Sequence, residues 1–350
     1  MRDTQHLDKL RISGFRGLSS LDLDDLGSFN ILLGANDVGK TSTLEAIFLL
    51  LGFPNLELPI TVQHGWRNYL GHGFDVLSPL FHQLDVDKQI VLEAQSCDST
   101  ERTLMISAPY TQAIAATKIQ RVESDTNGDP EKIQSDEQAR IQSSSSIPSG
   151  SRFLQYDATV KSASQEDPRL FCGRLVMHEG NREITWTPNT VADMHIPVRY
   201  FTPHYGYDGG IIANVIINKK TDKLLEYLRV INPRIEDIAV NGNVAYLDIG
   251  LKKMMPLNMF GSGMIRAAMI LSPCILGNEL IILIDELENG LHYQAIPPLL
   301  KSLLRLSSER HVQIFATTHS LELLKGLQQV LSQNQFSENQ QTTHCYTLQR

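Results

Sequence analysis

Gly34-Ala35-Asn36-Asp37-Val38-Gly39-Lys40-Thr41 fits the phosphate-binding pattern G-x-x-x-x-G-K-[ST]. The apolar run Asn30–Leu33 before it is typical of a buried strand, and Thr41–Leu51 after it has the pattern of a helix. The glycines allow a tight turn whose backbone N–H groups face phosphate oxygens, and the helix N-terminus adds the positive end of its dipole. This stretch therefore predicts a nucleotide phosphate site, in which Lys40 reaches the β- and γ-phosphates and Thr41 holds Mg²⁺.

A second acidic element lies far along the chain. The apolar run Ile281–Ile284 ends in Asp285 and Glu286. Asp285 is expected to hold Mg²⁺ through its water shell, and Glu286 is expected to orient and deprotonate an attacking water. A strand that ends in two carboxylates is common by itself. Its pairing with the glycine-rich loop is what indicates hydrolysis of a nucleotide.

A third element, Thr317-Thr318-His319-Ser320, follows the predicted strand Val312–Ala316. A histidine at the carboxyl end of a parallel strand can contact the γ-phosphate and the attacking water, whereas a lone histidine is more often a helix cap or a surface residue. More than half of the chain separates the first two elements. That spacing suits an ATPase with an insertion between its two halves better than a compact nucleotide kinase or small GTPase.

Composition narrows the class further. The chain has 350 residues and a formal net charge of −8, the opposite of the basic footprint of an autonomous DNA-binding domain. Its four cysteines form no C-x-x-C pair, which argues against a zinc site or a redox dithiol. No apolar run approaches the roughly 20 residues of a membrane span. We therefore expect a soluble, cytoplasmic protein with no membrane partner.

The middle of the chain has a different character. Apolar residues are few between about 123 and 151, which predicts a mobile surface insertion. Phe153–Val160 and Phe171–Met177 then predict strands of a β-rich arm. The apolar residues between Ile211 and Leu228 are spaced for the face of one helix.

The chain resembles the ABC-type ATPases of the RecF, SMC and OLD group, and especially the small bacterial AAA-family ATPases that lack a long coiled coil and a TOPRIM nuclease domain. The resemblance is tight in four places: Ile12-Ser-Gly-Phe-Arg16-Gly17, Leu33–Ile47, Leu283-Ile-Asp-Glu-Leu-Glu-Asn-Gly-Leu-His292 and Ala316-Thr-Thr-His319-Ser320.

This resemblance implies an α/β fold. We expect a P-loop ABC-type head with a mostly parallel central sheet and an antiparallel N-terminal β layer. Residues 1–94 and 261–350 would form the split head, and residues 95–260 an inserted α+β arm with its flexible segment at about 123–151.

The resemblance also implies the site. Two heads bind ATP and Mg²⁺ between them, so a homodimer is expected, and Asn289-Gly290-Leu291-His292 corresponds to a D-loop that crosses its interface. The residues expected to act are, for catalysis, Glu286, His319 and Lys40; for the metal, Thr41 and Asp285; and for the nucleotide, Arg16, Asn36, Gly39, Lys40, Thr41, Ser42, Gly261, Ser262 and Gly263.

Three positions depart from the family pattern or leave it open. In the signature loop the usual Leu-Ser-Gly-Gly-Gln places its serine at Gly261, so Ser262 replaces it by a one-residue shift, or backbone N–H groups serve alone. Asp37 stands where many relatives have glycine or asparagine. The Q-loop glutamine is either Gln63 or Gln83.

The biological role implied by the resemblance is control of a partner effector by ATP-driven head dimerisation, in bacterial anti-phage defence or DNA maintenance. The short stretch after His319 lacks the clustered acids of a TOPRIM domain, so we do not expect the chain to cut DNA by itself. One alternative is a RecF-like, ATP-dependent DNA-binding repair factor, for which Lys219, Lys220 and Lys223 form the nearest basic cluster. The other is a nucleotide-sensing scaffold that does not hydrolyse.

Overall fold

A computed structural model describes residues 6–67, 73–110, 120–122, 152–163, 167–177, 182–186, 196–203, 207–277 and 280–349. The expected flexible segment, 123–151, lies outside the described residues. No helix in the described ranges is long and apolar enough to span a membrane.

The strands are, in chain order, β1 (Leu7–Phe15), β2 (Leu18–Leu23), β3 (Phe29–Leu33), β4 (Ile90–Ser96), β5 (Glu101–Ser107), β6 (Gln120–Val122), β7 (Phe153–Lys161), β8 (Arg169–Met177), β9 (Arg182–Trp186), β10 (Val198–Phe201), β11 (Asp237–Asn241), β12 (Val244–Asp248), β13 (Met255–Pro256), β14 (Ile281–Ile284), β15 (Gln313–Thr317) and β16 (Thr343–Thr347). The α-helices are α1 (Lys40–Gly52), α2 (Leu58–Ile60), which a π-helical turn (Thr61–Trp66) follows, α3 (Gly209–Ile217), α4 (Thr221–Ile231), α5 (Ser262–Leu276), α6 (Ile296–Arg310), α7 (Leu321–Leu331) and α8 (Ser337–Thr342).

A parallel sheet forms the centre, with the strand order β10-β14-β15-β3-β16. Strands β14 and β15 are wholly buried. The continuous apolar sequence of β14 predicts this, whereas β15 also buries the polar residues Gln313 and Thr317. Since all these strands run in the same direction, their carboxyl ends meet at one edge of the sheet. The glycine-rich loop after β3, Asp285 after β14 and the histidine motif at the end of β15 therefore come together.

An antiparallel sheet lies beside it, with the strand order β2-β1-β4-β5-β7-β8-β9-β6. Helix α1 contacts β1 and β4 of this sheet and β10, β14 and β15 of the parallel one, so it lies between the two sheets. The alternate residues of the parallel strands enter two different cores. Leu283 and Phe315 face α1, whereas Ile282 and Ile314 face the helices α3 to α7 on the other side. The expected parallel sheet and antiparallel β layer are both confirmed.

The sheets cross the predicted domain boundaries at residues 94 and 261. Strands β5 and β7 to β9, inside the predicted arm, extend the antiparallel sheet of β1, β2 and β4, and β10 belongs to the parallel sheet. Alternation in a sequence shows that a strand is half-buried, but it does not show which sheet the strand joins. The independence of a head and an arm remains a prediction.

The single helix predicted between Ile211 and Leu228 is wrong. Helix α3 ends at Ile217 and α4 begins at Thr221, because Lys219 between them has a left-handed backbone (φ 55°). Both helices nevertheless bury their apolar residues in one core, as with Ile212 and Leu224.

Candidate active site

The glycine-rich loop has the backbone that its glycines predict. Gly34 and Gly39 have φ values of 144° and 100°, and a side chain at position 39 would collide with Leu18. Asp37 is also left-handed, with φ at 64°. Aspartate is among the residues that tolerate this conformation, so Asp37 fits this position of the loop.

Lys40 folds back onto the loop that precedes it. Its Nζ donates hydrogen bonds to the carbonyl oxygens of Gly34 at 2.8 Å and Ala35 at 2.7 Å. Helix α1 begins at Lys40, and no side chain caps it. The first N–H groups of this 13-residue helix are therefore suited to an anion. Asn36 is exposed on the loop, whereas Ser42 is buried in the first turn of the helix.

Thr41 and Asp285 meet as the sequence predicts. The Thr41 hydroxyl lies 3.1 and 3.0 Å from the two carboxylate oxygens of Asp285. The Thr317 hydroxyl donates to Asp285 at 2.6 Å and accepts from the backbone N–H of Glu286 at 2.8 Å. A hydroxyl and a carboxylate are hard oxygen ligands, which Mg²⁺ prefers beside nucleotide phosphates, so this pair fits the expected metal. Their roles toward metal and nucleotide remain predictions.

Arg266, on α5, was not identified from the sequence. Its guanidinium donates to the carbonyls of Asp285 at 2.7 Å and Glu286 at 2.9 Å. It also donates to those of Thr202 and Pro203, beyond the end of β10. Burial lowers the pKa of Arg266, and the nearby carboxylates oppose this shift. The only available signal was a single charge in the apolar stretch Gly263–Leu276.

Glu286 follows β14 with a left-handed backbone (φ 49°). Its Oε2 accepts a hydrogen bond at 3.4 Å from the side-chain amide of Asn289, which also donates to the carbonyl of Pro203. The carboxylate is thus tied to the turn that follows it. That turn corresponds to the predicted D-loop.

His319 is brought to the same edge, and its side chain is 54% exposed. The alternative of a helix cap does not apply to it, because the hydroxyl of Ser320 caps α7 by accepting from the N–H of Leu323. Glu288, a second residue with no role assigned from the sequence, accepts a hydrogen bond from the backbone N–H of His319 at 3.0 Å.

Arg16 lies in a buried polar network. Its Nε is 2.6 Å from Oε2 of Glu45 on α1, and its Nη2 donates to Gln63 Oε1 at 2.7 Å. Arg67 Nε binds the other oxygen of Glu45 at 2.8 Å. Burial lowers the pKa of Arg16. Burial also acts to lower the pKa of Arg67, but the hydrogen bond and charge of Glu45, with the charges of Tyr200 and Asp285, together outweigh it and raise that pKa. Outside this network, Arg16 Nη1 donates to the carbonyl of Pro79 at 3.5 Å. Contact of Arg16 with the nucleotide remains a prediction.

The two Q-loop candidates differ in their surroundings. Gln63 is buried in the π-helical turn and also donates to the carbonyl of Val76 at 2.9 Å. Gln83 is exposed, with a left-handed backbone. Gln63 is thus the candidate that touches the network of Arg16. Neither is assigned a contact with the nucleotide.

The predicted signature loop packs against the predicted D-loop of the same chain. Gly261 precedes α5 and is exposed, and the Ser262 hydroxyl donates to the carbonyl of Gly290 at 2.7 Å. Gly290 is left-handed (φ 73°), and Gly263 lies against Leu291. Contact of Gly261, Ser262 and Gly263 with a partner's nucleotide remains a prediction.

A protein-family model matches most of the chain. Residues 29–325 match the family AAA_21, described as "AAA domain, putative AbiEii toxin, Type IV TA system". The chain is 23% identical to an "ATP/GTP phosphatase" of Helicobacter pylori, over 95% of this chain and 90% of that protein. It is 39% identical over 70 residues to the DNA replication and repair protein RecF of an Enterobacter species, which covers 19% of this chain and 20% of RecF.

Similar solved structures include two SMC heads. The SMC head domain from Thermotoga maritima aligns with a TM-score of 0.41 and 10% identity, over 92% of each chain. An SMC head bound to the C-terminal winged-helix domain of ScpA aligns with a TM-score of 0.46 and 11% identity, over 92% of this chain and 91% of that one.

Proposed function

The chain belongs to the AAA_21 family of ABC-type P-loop ATPases related to the RecF and SMC heads, and from this premise we propose that two copies hydrolyse ATP with Mg²⁺ and thereby control a partner effector. The observation that carries the proposal is the contact of Thr41 with Asp285, next to Glu286. The similarity to an ATP/GTP phosphatase along nearly the whole chain supports it.

Each side chain has a separate task in this proposal. Lys40 exchanges its two loop carbonyls for phosphate oxygens, a stronger, charge-assisted pairing. Thr41 and Asp285 would hold Mg²⁺, which neutralises phosphate charge when bound. Glu286 removes a proton from the attacking water, and the hydrogen bond from Asn289 orients its carboxylate.

The exposed loops of the site support the proposed dimer. Gly261 and Asn36 are exposed, and α5 presents its N-terminus there, ready for the phosphates of a second copy. ATP would then join two heads and hydrolysis would release them. The effector would respond to the joining and release of the heads, in defence against phage or in DNA maintenance.

Two substitutions test hydrolysis directly. Lys40→Ala should abolish phosphate release, whereas Glu286→Gln should slow it by about 10²–10⁴-fold while ATP still binds. Glu322→Gln is the matched control, because Glu322 lies nearby on α7 and contacts only Ser320 among the described hydrogen bonds. The measurement is phosphate release from ATP and from GTP, with and without Mg²⁺. Unchanged turnover in Lys40→Ala would disprove the assignment.

A RecF-like, DNA-binding function is the second candidate, on the strength of the RecF match. The basic cluster gives it little support. Lys220 donates to the carbonyls of Ile275 and Leu276, and Lys223 pairs with Glu226 and Glu309. ATP-dependent retention of duplex DNA that falls steeply with salt would favour this candidate.

The third candidate is a scaffold that senses nucleotide without hydrolysing it. The presence of Glu286 and of the Thr41–Asp285 pair argues against this candidate. Single-turnover hydrolysis distinguishes the scaffold from the hydrolase, because complete conversion of bound ATP rules out the scaffold.

A further inference from the structure

The carboxylate of Glu288 contacts His319 at two points. Its Oε1 accepts a hydrogen bond from the backbone N–H of His319 at 3.0 Å, and the same oxygen lies 3.3 Å from Nδ1 of the imidazole. Its Oε2 is buried and finds no hydrogen-bond partner among the described residues. Within the described part of the chain, the hydrogen bonding of this carboxylate is thus directed at His319.

Burial of this carboxylate is costly. The Glu288 side chain is 12% exposed, and a buried carboxylate with an unpaired oxygen lowers stability. Capping of α7 does not explain its presence there, because Ser320 supplies that cap. A role toward the ring of His319 does explain it.

An ionised carboxylate can only accept hydrogen bonds, so a hydrogen bond across the 3.3 Å between Oε1 and Nδ1 requires the proton of the imidazole to be on Nδ1. When the single proton of the neutral ring is on Nδ1, Nε2 is the nitrogen without a proton. The partner of one ring nitrogen thereby sets the state of the other.

We propose that Glu288 is a positioning residue that holds Nδ1–H of His319 and so presents the unprotonated Nε2 to the attacking water, from which Nε2 accepts a hydrogen bond. This inference rests on the hydrolysis proposed above. Glu288 is then a third carboxylate of the site, in addition to Asp285 and Glu286. Unlike those two, it would act through the histidine and contact neither metal nor nucleotide.

Kinetics test whether Glu288 acts through His319. Glu288→Ala should lower kcat by about tenfold to hundredfold with little change in KM, since misplacement of one catalytic group has effects of this size. In a His319→Ala background the same substitution should lower kcat no further. Glu288→Gln, which keeps an oxygen acceptor, should retain more activity than Glu288→Ala. Glu322→Gln, in the first turn of α7 near His319, is the matched control and should leave kcat unchanged.

The second measurement does not depend on turnover. Nitrogen-15 NMR of the histidine rings, with His319 assigned by its loss in His319→Asn, should give a protonated Nδ1 in the wild type. In Glu288→Ala the proton should shift toward Nε2. Circular dichroism checks that each variant folds, and if Glu288→Ala does not fold, Glu288→Leu, which also removes the oxygen acceptor, takes its place in the comparison.

Three outcomes would overturn the inference: an unprotonated Nδ1 in the wild type, the same protonation of the ring in wild type and variant, or a further loss of kcat from Glu288→Ala without His319. If the wild type does not hydrolyse ATP, the proposed function fails, and the ring protonation still decides the role of Glu288.

Discussion

Glu45 is a buried residue that links three segments around the P-loop helix α1. It is 1% exposed on the P-loop helix, and its two oxygens bind the guanidinium groups of Arg16 and Arg67. Arg16 also holds Gln63, so the turn between β1 and β2, helix α1 and the π-helical turn meet at one carboxylate. A buried charge that is paired in this way is costly to leave without its partner.

Removal of Glu45 should therefore destabilise the fold. We expect Glu45→Ala to lower the free energy of unfolding by about 3–5 kcal/mol, because it leaves Arg16 buried and uncompensated. Asp22→Ala is the matched control: it breaks the exposed Arg11–Asp22 pair and should cost less than about 1 kcal/mol. Urea denaturation followed by circular dichroism measures the free energy of unfolding of both variants. Equal losses would show that the buried network stabilises the fold no more than the exposed pair does.

At the scale of elements, α5 joins two parts of the site. It begins at the predicted signature loop, and one turn further on Arg266 donates to the chain segments that follow β10 and β14. The planar guanidinium has five N–H donors on three nitrogens and here reaches four carbonyls of two segments, more than the single ammonium nitrogen of a lysine can. Any movement of the signature loop should therefore reach the backbone that carries Asp285 and Glu286.

Arg266→Lys should lower kcat more than tenfold, although the charge remains, because the lysine cannot bridge both segments. Arg229→Lys is the matched control. Arg229 likewise donates to backbone carbonyls, of Ile235 and Glu236, but it lies on α4 outside the site. The control should lower the melting temperature without lowering kcat. Phosphate release and thermal unfolding of both variants decide the matter, and parallel losses of kcat would show that Arg266 is merely structural.

At the scale of the whole molecule, the parallel sheet is the middle layer. Helices α3 to α7 cover one of its faces, and α1 followed by the antiparallel sheet covers the other. The site occupies the edge where the parallel strands end, and its loops face outward. In the proposed symmetric dimer, each head would complete the exposed site of the other at this edge.

Mixing of two inactive variants tests this dimer. Lys40→Ala disables the P-loop, and Ser262→Glu places a negative charge at the signature loop. A mixed dimer keeps one site with an intact P-loop from one protomer and an intact signature from the other, so mixing should restore part of the ATPase activity. Lys40→Ala mixed with Glu286→Gln is the control and should restore none, because the two defects fall in different sites and disable both. No recovery in the first mixture would contradict completion across the dimer.

The sequence by itself determined the glycine-rich loop, the Asp285–Glu286 pair, the motif of His319 and the parallel strands that carry them. These features are local: a few neighbouring residues specify a turn, a buried strand or a carboxylate at its end. Even the contact between Thr41 and Asp285 followed from them, because parallel strands end at one edge.

Only the tertiary structure decided the partners of Arg266, Glu288 and Arg16, and the sheets that the strands of the predicted arm join. Each of these depends on residues far apart in the chain, and periodicity contains no information about such pairings. The buried Gln313 is another example, since it binds the backbone of both Leu7 and Gly27 and so ties the two sheets together. A polar side chain can be buried only where its hydrogen bonds are satisfied, and packing alone brings those partners to it.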